Sequence, residues 1–385
     1  MRVAIIAAEP SGDQLGAGLM RALRERLPDL CFEGVGGAQM QAVGMQSLAP
    51  METLSVMGLV EVLAHLPGLL RLRRSLLARW RVDPPDLFIG IDAPDFNFLI
   101  ERRLRAAGVP TVHYVSPTVW AWREGRVQTL REATDLLLSI LPFEPEFLER
   151  RGVHAVYVGH RLAAEMPLEP DRQGARQALG FGLEEPVLAV LPGSRKGELE
   201  RLARPFLQSA RACAEQLPGL RVVTPLVNED LRLLWRTERA RYAPDLEVVE
   251  VMQDSRRALA AADVALTASG TATFEALLSK RPMVVGYKLN PLTYWLARAL
   301  RLVKLEHVAM ANLLAGEGLA PEFIQGACEP GRLVPALMAF FRDQGRVASI
   351  QRRYREIHEA MIVDTDRRAA EAVLDLVAQH GRRAQ

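Results

Sequence analysis

Short, largely apolar segments alternate with longer amphipathic segments along most of this chain. The apolar segments lie at residues 3–8, 86–92, 111–116, 136–141, 155–158, 187–191, 221–226, 247–250, 264–268 and 283–287. Strands that are apolar at nearly every position, rather than at every second one, are typical of a parallel sheet covered by helices on both faces. The alternation therefore predicts an open α/β architecture.

The strand pattern stops at residue 159 and resumes at residue 187. The residues between are rich in Pro, Gly and acidic side chains, which is typical of a connection between domains. After the second series, residues 290–380 have a mostly helical pattern. We therefore expect two Rossmann-like, doubly wound α/β domains that face each other across a cleft, followed by a helical C-terminal segment.

Composition limits the classes of partner and the compartment. A chain of 385 residues with 49% hydrophobic and 24% charged residues can bury two cores, and its net charge of +2 gives no reason to expect a nucleic-acid partner. The three cysteines are far apart and form no CxxC pair, which predicts free thiols in a reducing compartment. The first ten residues predict no signal peptide, and no uncharged run is long enough to span a bilayer. We expect a cytoplasmic protein that is at most associated with a membrane surface.

A run of small residues follows the apolar segment 264–268. Ser269, Gly270 and Thr271 separate it from a helical pattern that contains Glu275. Small residues at the N-terminus of a helix allow a phosphate group to approach backbone N–H groups. Glu275, one turn into the helix, is placed to accept hydrogen bonds from a ribose. The alternative is an ordinary tight turn with Thr271 as helix cap and Glu275 on the surface.

A second turn of the same kind follows the segment 187–191. Ser194 and Arg195 stand there at the start of another helix, and a guanidinium group is well suited to bind phosphate. Two such turns in one domain predict a site for a nucleoside diphosphate at the carboxyl edge of the second sheet. The chain contains neither the P-loop nor the GxGxxG pattern.

Two carboxylates follow strands of the first domain. Glu9 ends the first strand in "AAEPSGD", and Asp92 ends the next in "GIDAPDFN". A carboxylate at the carboxyl edge of a parallel sheet can act as a general base toward a sugar hydroxyl. The alternative role of helix cap or turn residue is favoured for Asp13 and Asp95 more than for Asp92.

Two other patterns are compatible with either a chemical or a structural role. Trp120 and Trp122, on a loop that begins near His113, could stack on a sugar or cover acyl chains, or could pack the edge of the domain. Asp364 and Asp366 form a DxD pair, which binds a divalent cation in some glycosyltransferases. Here the pair begins a helix, where acidic residues are expected as caps, so we expect no metal ion.

The segment 66–81 alternates leucines and Trp80 with five arginines, and an apolar stretch precedes it. A basic amphipathic helix of this kind can lie on an anionic bilayer. It can also pack one face against a core while its arginines remain in solvent.

These motifs together resemble one family, the lipid-A-disaccharide synthases, which are inverting glycosyltransferases with the GT-B fold. The resemblance covers nearly the whole chain and rests on "EPSGDQLGAGL", "MGLVEVL", "GIDAPDFN", "HYVSPTVWAWR", "LPFE", "LPGSRKGELE", "PLVN", "ASGTATFEALLSKRPMVVGY" and "NLLAG". It implies an acceptor-binding domain at 1–165, a domain that binds the UDP-sugar at 166–345, and helices at 346–385 that pack back on the first domain. An exchange of those last helices between the subunits of a homodimer stays open.

The resemblance also implies a reaction and its residues. The donor would be UDP-2,3-diacylglucosamine, the acceptor 2,3-diacylglucosamine 1-phosphate (lipid X), and the products a β-1,6-linked disaccharide 1-phosphate and UDP. It makes Asp92 the general base and implies contacts of Arg195, Glu275 and Asn312 with UDP, whereas Glu9 would act on the acceptor side. No metal or cofactor is needed. The family works on the cytoplasmic face of the inner membrane, so residues 51–81 would contact the membrane surface.

Two other classes of protein share parts of this pattern. A UDP-N-acetylglucosamine 2-epimerase would use the same donor loops but would need acid–base groups near C2 and C3 of the sugar. A non-catalytic UDP-sugar-binding protein would need Arg195 and Glu275 but no carboxylate at position 92.

Overall fold

The computed structural model describes residues 1–54, 59–117, 119, 125–289 and 307–383, with the side chains of 59–65 and 383 left aside. The chain divides into two compact units. Unit 1 consists of Met1–Ala164 and Ile362–Gln385, and unit 2 is Glu165–Met361. Each unit contains a parallel sheet with helices, and the last part of the chain is helical, as predicted.

Unit 1 is built on a parallel sheet with the strand order β3-β2-β1-β4-β5-β6-β7 among the described residues. The strands are β1 (Arg2–Ala7), β2 (Cys31–Val35), β3 (Met45–Ala49), β4 (Leu87–Ile91), β5 (Thr111–Tyr114), β6 (Leu136–Ser139) and β7 (Ala155–Tyr157). The sequence pattern did not predict β2 and β3. Glu33 and Gly34 interrupt the apolar run of β2, and β3 contains the exposed Gln46 and Ser47.

Helices cover both faces of this sheet. They are α1 (Pro10–Arg26), α2 (Ala38–Ala42), α3 (Leu59–Val82), α4 (Pro94–Ala106), α5 (Arg126–Ala133), α6 (Glu144–Glu149) and α7 (Arg161–Glu165). The proline at the first position of α1 and of α4 fits a site where no backbone donor is needed. The core on one face joins β1, β4 and α1 to the last helix of the chain, and the core on the other face contains Trp80 of α3.

Unit 2 has a sheet with the strand order β10-β9-β8-β11-β12-β13, again all parallel among the described residues. Its strands are β8 (Val187–Leu191), β9 (Arg221–Leu226), β10 (Val249–Met252), β11 (Val264–Ala268), β12 (Met283–Tyr287) and β13 (Glu322–Ile324). The short β13 lies in the part of the chain that was expected to be mostly helical.

The helices of unit 2, and the last helix of the chain in unit 1, follow the predicted alternation. They are α8 (Arg172–Leu179), α9 (Lys196–Gln216), α10 (Glu229–Tyr242), α11 (Ser255–Ala261), α12 (Thr271–Leu278), α13 (Met310–Ala315), α14 (Pro330–Arg342), α15 (Gln344–Met361) and α16 (Thr365–Arg383). The chain returns to unit 1 after Met361, not at residue 346 as the sequence analysis expected, because α15 packs on α12, α13 and α14. The last helix, α16, packs on α1.

A buried lysine joins α12 to α15. Lys280 is 8% exposed, and its Nζ donates a hydrogen bond to the carbonyl oxygen of Leu278 at 2.7 Å. The same Nζ lies 2.6 Å from Nδ1 of the fully buried His358 on α15. Burial lowers the pKa of Lys280 to about 8.

We expect this lysine to make stability depend on pH. Between pH 8 and the ordinary lysine value of about 10.5, the unfolded chain binds the proton and the folded chain does not, so the free energy of unfolding rises with pH. The rise should reach roughly 3 kcal/mol across that window. Denaturant unfolding of Lys280→Met at a series of pH values should lack this rise. Lys288→Met, which removes an ammonium group paired with Glu329, should keep it, and parallel curves for wild type and Lys280→Met would contradict the prediction.

Candidate functional site

Each sheet has one point where the strand order reverses. In unit 1 the chain moves outward from β1 through β2 to β3 and then begins again on the other side of β1 with β4. In unit 2 the same reversal separates β8 from β11. The loops after the two strands at such a point diverge, which leaves a space outside the carboxyl ends of the strands, where ligands of α/β proteins bind. The predicted site residues of unit 1, and all but one of unit 2, follow these four strands.

In unit 1, the reversal places Glu9 and Asp92 side by side along the sheet. Ala7 and Ile91 are partners in the register of β1 and β4, Glu9 follows two residues after Ala7, and Asp92 directly follows Ile91. Glu9 is exposed and Asp92 is half-buried. No hydrogen bond or ion pair joins either carboxylate to another described residue. Both groups are therefore available to a ligand at this edge.

Two other acidic residues near this edge have structural roles. The buried carboxylate of Asp13 accepts hydrogen bonds from the backbone N–H groups of Gly37, Gln39 and Met40, at 2.8–3.1 Å, and so caps α2. The exposed Asp95 accepts a hydrogen bond from Arg126 at 2.7 Å. Neither geometry leaves the carboxylate free for chemistry, which agrees with the preference for Asp92.

Behind Asp92 lies a fully buried polar pair. Nδ1 of His113 on β5 and Oε1 of Glu101 on α4 are 2.7 Å apart, and neither residue is exposed. Burial raises the pKa of Glu101 above its ordinary value, and the neighbouring His113 opposes this rise. The ring of His113 also packs against Phe98, with centroids 4.8 Å apart. His113 is thus held by contacts inside unit 1. Trp120 and Trp122 lie outside the described residues.

In unit 2, a cavity of about 440 Å³ opens at the reversal between β8 and β11. The loops after four strands line it, together with the first residues of three helices, α9, α11 and α12. It brings together all the predicted site residues of unit 2 except one: Ser194, Arg195, Ser269, Gly270, Thr271 and Glu275. Because the first N–H groups of a helix have no partner within it, the cavity wall offers several backbone donors and the positive ends of three helix dipoles.

The turn after β11 is open toward this cavity. Gly270 has φ +127°, which favours glycine, and a Cβ at this position would contact nothing within 4 Å. The hydroxyl of Ser269 is already used, because it donates to the carbonyl oxygen of Val308 at 3.1 Å. The turn therefore presents backbone N–H groups, rather than the serine side chain, to a ligand.

Arg195 supplies the positive side chain of the cavity. It stands at the N-cap of α9, and its side chain is 71% exposed with one close carboxylate, Glu198, at 3.5 Å. The preceding turn contains Gly193 with φ +109°, where a Cβ would press against the side chain of Glu198. Arg195 can thus turn toward an anion at the mouth of the cavity without breaking a strong ion pair.

Glu275 lies half-buried in the cavity wall. Its carboxylate accepts a hydrogen bond from the hydroxyl of Ser255, the first residue of α11. Burial raises the pKa of Glu275, and the hydrogen bond from Ser255 and the charge of Arg256 oppose the rise. A carboxylate in this setting suits neutral hydroxyl donors such as a ribose better than a phosphate.

Asn312 does not line the cavity. It is 1% exposed, and both ends of its amide are used: Nδ2 donates to the carbonyl of Ala320 and to Glu322, and Oδ1 accepts from the N–H of Ala320, all at 2.8 Å. Glu322 also accepts from the N–H groups of Val308 and Ala309 at 2.9 Å. In this structure Asn312 braces the segment that accepts the hydroxyl hydrogen bond of Ser269, instead of offering its side chain to a ligand.

The pair Asp364 and Asp366 is split by the fold. Asp364 accepts a hydrogen bond from the backbone N–H of Arg367 at 3.1 Å, as a helix cap does. Asp366 lies against Gly18 of α1. Among the described residues, no group of three His, Cys, Asp or Glu side chains is arranged to hold a metal ion. No helix within the described ranges is both long and apolar enough to cross a membrane.

The sequence analysis missed several residues that line the cavity. They lie at the end of β9 and directly after β9 and β10, and comprise Pro225, Leu226, Val227, Gln253, Asp254 and Ser255. The feature of the sequence that could have identified them is their position at or just after the end of a strand, which Ser194 and Ser269 share. The "PLVN" motif marks the first group, and Asp254, which caps α11, marks the second.

Comparisons with known proteins agree with this geometry. A family model described as lipid-A-disaccharide synthetase matches residues 3–376. The lipid-A-disaccharide synthase of Alkalilimnicola ehrlichii is 51% identical over 99% of this chain and 100% of its own length. That of Escherichia coli (strain SMS-3-5 / SECEC) is 46% identical over 98% of both chains.

Solved structures with low identity share the fold. A UDP-GlcNAc 2-epimerase from Neisseria meningitidis, bound to UDP-GlcNAc, has a TM-score of 0.61 at 11% identity and covers 98% of this chain and 100% of its own. The glycotransferase of kitacinnamycin has a TM-score of 0.60 at 18% identity, over 97% and 98%. These likenesses confirm the predicted fold class. Because the family model matches the chain along almost its full length and the relatives named above are 46% and 51% identical to it, the chain belongs to the lipid-A-disaccharide synthetase family.

Proposed function

We propose that this protein is an inverting glycosyltransferase of lipid A biosynthesis. It would join UDP-2,3-diacylglucosamine to 2,3-diacylglucosamine 1-phosphate, and release a β-1,6-linked disaccharide 1-phosphate and UDP. The observation that carries the proposal is the cavity of unit 2, where three helix N-termini, Arg195 and Glu275 converge at the reversal of the strand order. Family membership supports the choice of donor and acceptor.

In this proposal the cavity binds UDP. The backbone N–H groups at Ser269, Gly270 and Thr271 and the N-terminus of α9 with Ser194 bind the diphosphate, and Arg195 adds a positive charge. Glu275 accepts hydrogen bonds from the ribose. As the bond to the sugar breaks, negative charge grows on the β-phosphate, and donors that are already in place stabilise it without reorganisation.

The acceptor is activated by a base of unit 1. Inversion requires one displacement, in which the 6-hydroxyl oxygen bonds to the anomeric carbon while the bond from that carbon to the UDP oxygen breaks. The hydroxyl proton passes to a carboxylate, and we assign this role to Asp92 because its carboxylate has no partner among the described residues. Glu9, its neighbour at the same edge, is assigned to the acceptor sugar. The reaction requires no metal ion.

We expect Asp92→Asn to separate catalysis from binding. Turnover of UDP-2,3-diacylglucosamine and lipid X in detergent micelles with EDTA should fall about 10²–10⁴-fold, because the acceptor loses its base, while the Kd of UDP stays unchanged. Asp95→Asn, which alters the exposed carboxylate paired with Arg126, should keep turnover within about threefold. Full turnover of Asp92→Asn would remove the base assignment. Conversion of UDP-N-acetylglucosamine alone to its 2-epimer would favour the epimerase.

The phosphate and ribose assignments can be tested by calorimetry. Arg195→Ala should raise the Kd of UDP about 10–100-fold, because a charge-assisted hydrogen bond contributes roughly 1.5–3 kcal/mol, but should leave uridine binding unchanged. Glu275→Gln should weaken both ligands. Arg204→Ala, which removes an exposed arginine of the same helix, is the matched control. Equal effects of Arg195→Ala on UDP and uridine would contradict the phosphate contact.

We also propose that residues 66–74 of the segment 66–81 contact the cytoplasmic face of the inner membrane. Its second half packs inward, with Leu76 and Trp80 buried in a core of unit 1. Within residues 66–74, Leu66 is 40% exposed, and the arginines at 71 and 74 are exposed. Exposed leucine beside arginine fits the headgroup region of an anionic bilayer.

Charge reversal tests this contact. Arg71→Glu with Arg74→Glu should lower the bound fraction in sedimentation with phosphatidylglycerol vesicles by tenfold or more, since each basic residue near the surface contributes about 1 kcal/mol. Arg102→Glu with Arg103→Glu makes the same change of charge on α4 and should bind like wild type. Equal vesicle binding by both double variants and wild type would contradict the assignment.

A further inference from the structure

The backbone at Asp92 adopts a conformation that side chains disfavour. Asp92 has φ +49° and the next residue, Ala93, has φ +43° with ψ +54°. Two consecutive non-glycine residues in the left-handed region are uncommon, and each costs free energy that the surroundings must supply. Glycine adopts this conformation without that cost. A carboxylate at the first position, where glycine would fit without strain, is therefore retained for the side chain itself.

Asn97 holds this turn from within α4. It is fully buried, and its Nδ2 donates a hydrogen bond to the carbonyl oxygen of Asp92 at 2.8 Å and a longer one to that of Ile91 at 3.4 Å. The backbone N–H of Asn97 donates to the carbonyl of Ala93 at 3.0 Å. One side chain thus fixes the direction of the two peptide groups on either side of the Asp92 Cα.

The other side of the turn is held by β5. The backbone N–H of Asp92 donates to the carbonyl of Tyr114 at 2.9 Å, which continues the sheet by one residue. The residue before Tyr114 is His113, the partner of Glu101 in the buried pair. The turn is therefore attached to α4 through Asn97 and to β5 through its own amide.

The buried pair ties these two supports together. Glu101 lies one helical turn after Asn97 on α4, and both residues press against Gly90, where a Cβ would overlap Glu101 Oε1 and would come within 3.0 Å of the Cβ of Asn97. Gly90 is the register partner of His113. Because Gly90 has no side chain, the side chains of α4 can reach β5 at this point, which is one residue before the end of β4. Among the described atoms, Asn97 Oδ1, Glu101 Oε2 and His113 Nε2 have no hydrogen-bond partner.

We propose that Asn97, supported by the Glu101–His113 pair, is a positioning residue that holds the Asp92 turn in its left-handed conformation and so aims the Asp92 carboxylate at the acceptor. The inference rests on the proposed function, in which Asp92 is the base. Buried polar atoms that lack partners are costly in a core, so a helix anchor made only for stability would be apolar. The amide of Asn97 is retained because it reaches the carbonyl oxygens of the turn.

The experiment measures kcat in two backgrounds. Asn97→Ala should lower kcat about 10–100-fold through misplacement of the base, with the Kd of UDP within twofold of wild type. In the Asp92→Asn background the same substitution should change the residual rate less than threefold, because no base remains to be misplaced. Glu101→Gln, which keeps an acceptor for His113, should lower kcat less than Glu101→Ala does.

Controls separate positioning from stability. Asp171→Ala removes the aspartate that caps α8 in unit 2 and should lower the melting temperature without changing kcat. If Asn97→Ala does not fold, Asn97→Leu fills the same space and serves in its place. Wild-type kcat in the folded variant, or an equal loss with and without Asp92, would overturn the positioning role while leaving the transferase proposal intact. Full turnover of Asp92→Asn would instead remove the base on which the inference rests.

Discussion

The reversal of strand order in each parallel sheet is the constraint on which the candidate sites depend. The loops that follow parallel strands all lie at one edge of the sheet. At the reversal, two neighbouring loops turn to opposite faces of the sheet and leave a space between them. In unit 1 this space receives Glu9 and Asp92, and in unit 2 it receives the turns at Arg195 and Gly270. The candidate site residues of both units therefore come within a few positions after a fully buried strand.

Much of this could be predicted from the sequence, because it depends on local pattern. β8 and β11 are buried at every position and appear as continuous apolar runs, and the small residues after β11 mark an open turn. β2 could not be predicted, because Glu33 interrupts its pattern, and only the fold brings Arg79 and Trp80, from α3, to hydrogen-bond that carboxylate at 2.7–3.2 Å. A buried charge needs such partners, and they lie far along the chain.

The availability of a side chain could be predicted only where no distant partner competes for the group. Asp92 and Arg195 keep free or weakly paired charges at the sheet edges, as the sequence suggested. Asn312 was expected at the ligand, but its amide is used by Ala320 and Glu322, which become neighbours only when α13 and β13 are in place. Asp13 similarly caps a helix that follows a strand missed by the pattern. Residue type and spacing cannot reveal a partner that the tertiary fold supplies.

In unit 2, a carboxylate outside the cavity helps to fix the turn that lines it. Glu322 is negative, but it accepts hydrogen bonds from two backbone N–H groups and from Asn312, which offset its charge and fix the segment at Val308. That segment takes the hydroxyl hydrogen of Ser269, and the N–H of Met310 donates to Thr273 at 3.0 Å. The hydroxyls of Ser269 and Thr273 are thus committed to local structure, which leaves backbone N–H groups, Thr271 and Arg195 as the donors of the proposed phosphate site. Donors that are fixed before the ligand arrives lose little conformational entropy on binding, which favours a rigid turn over a flexible one.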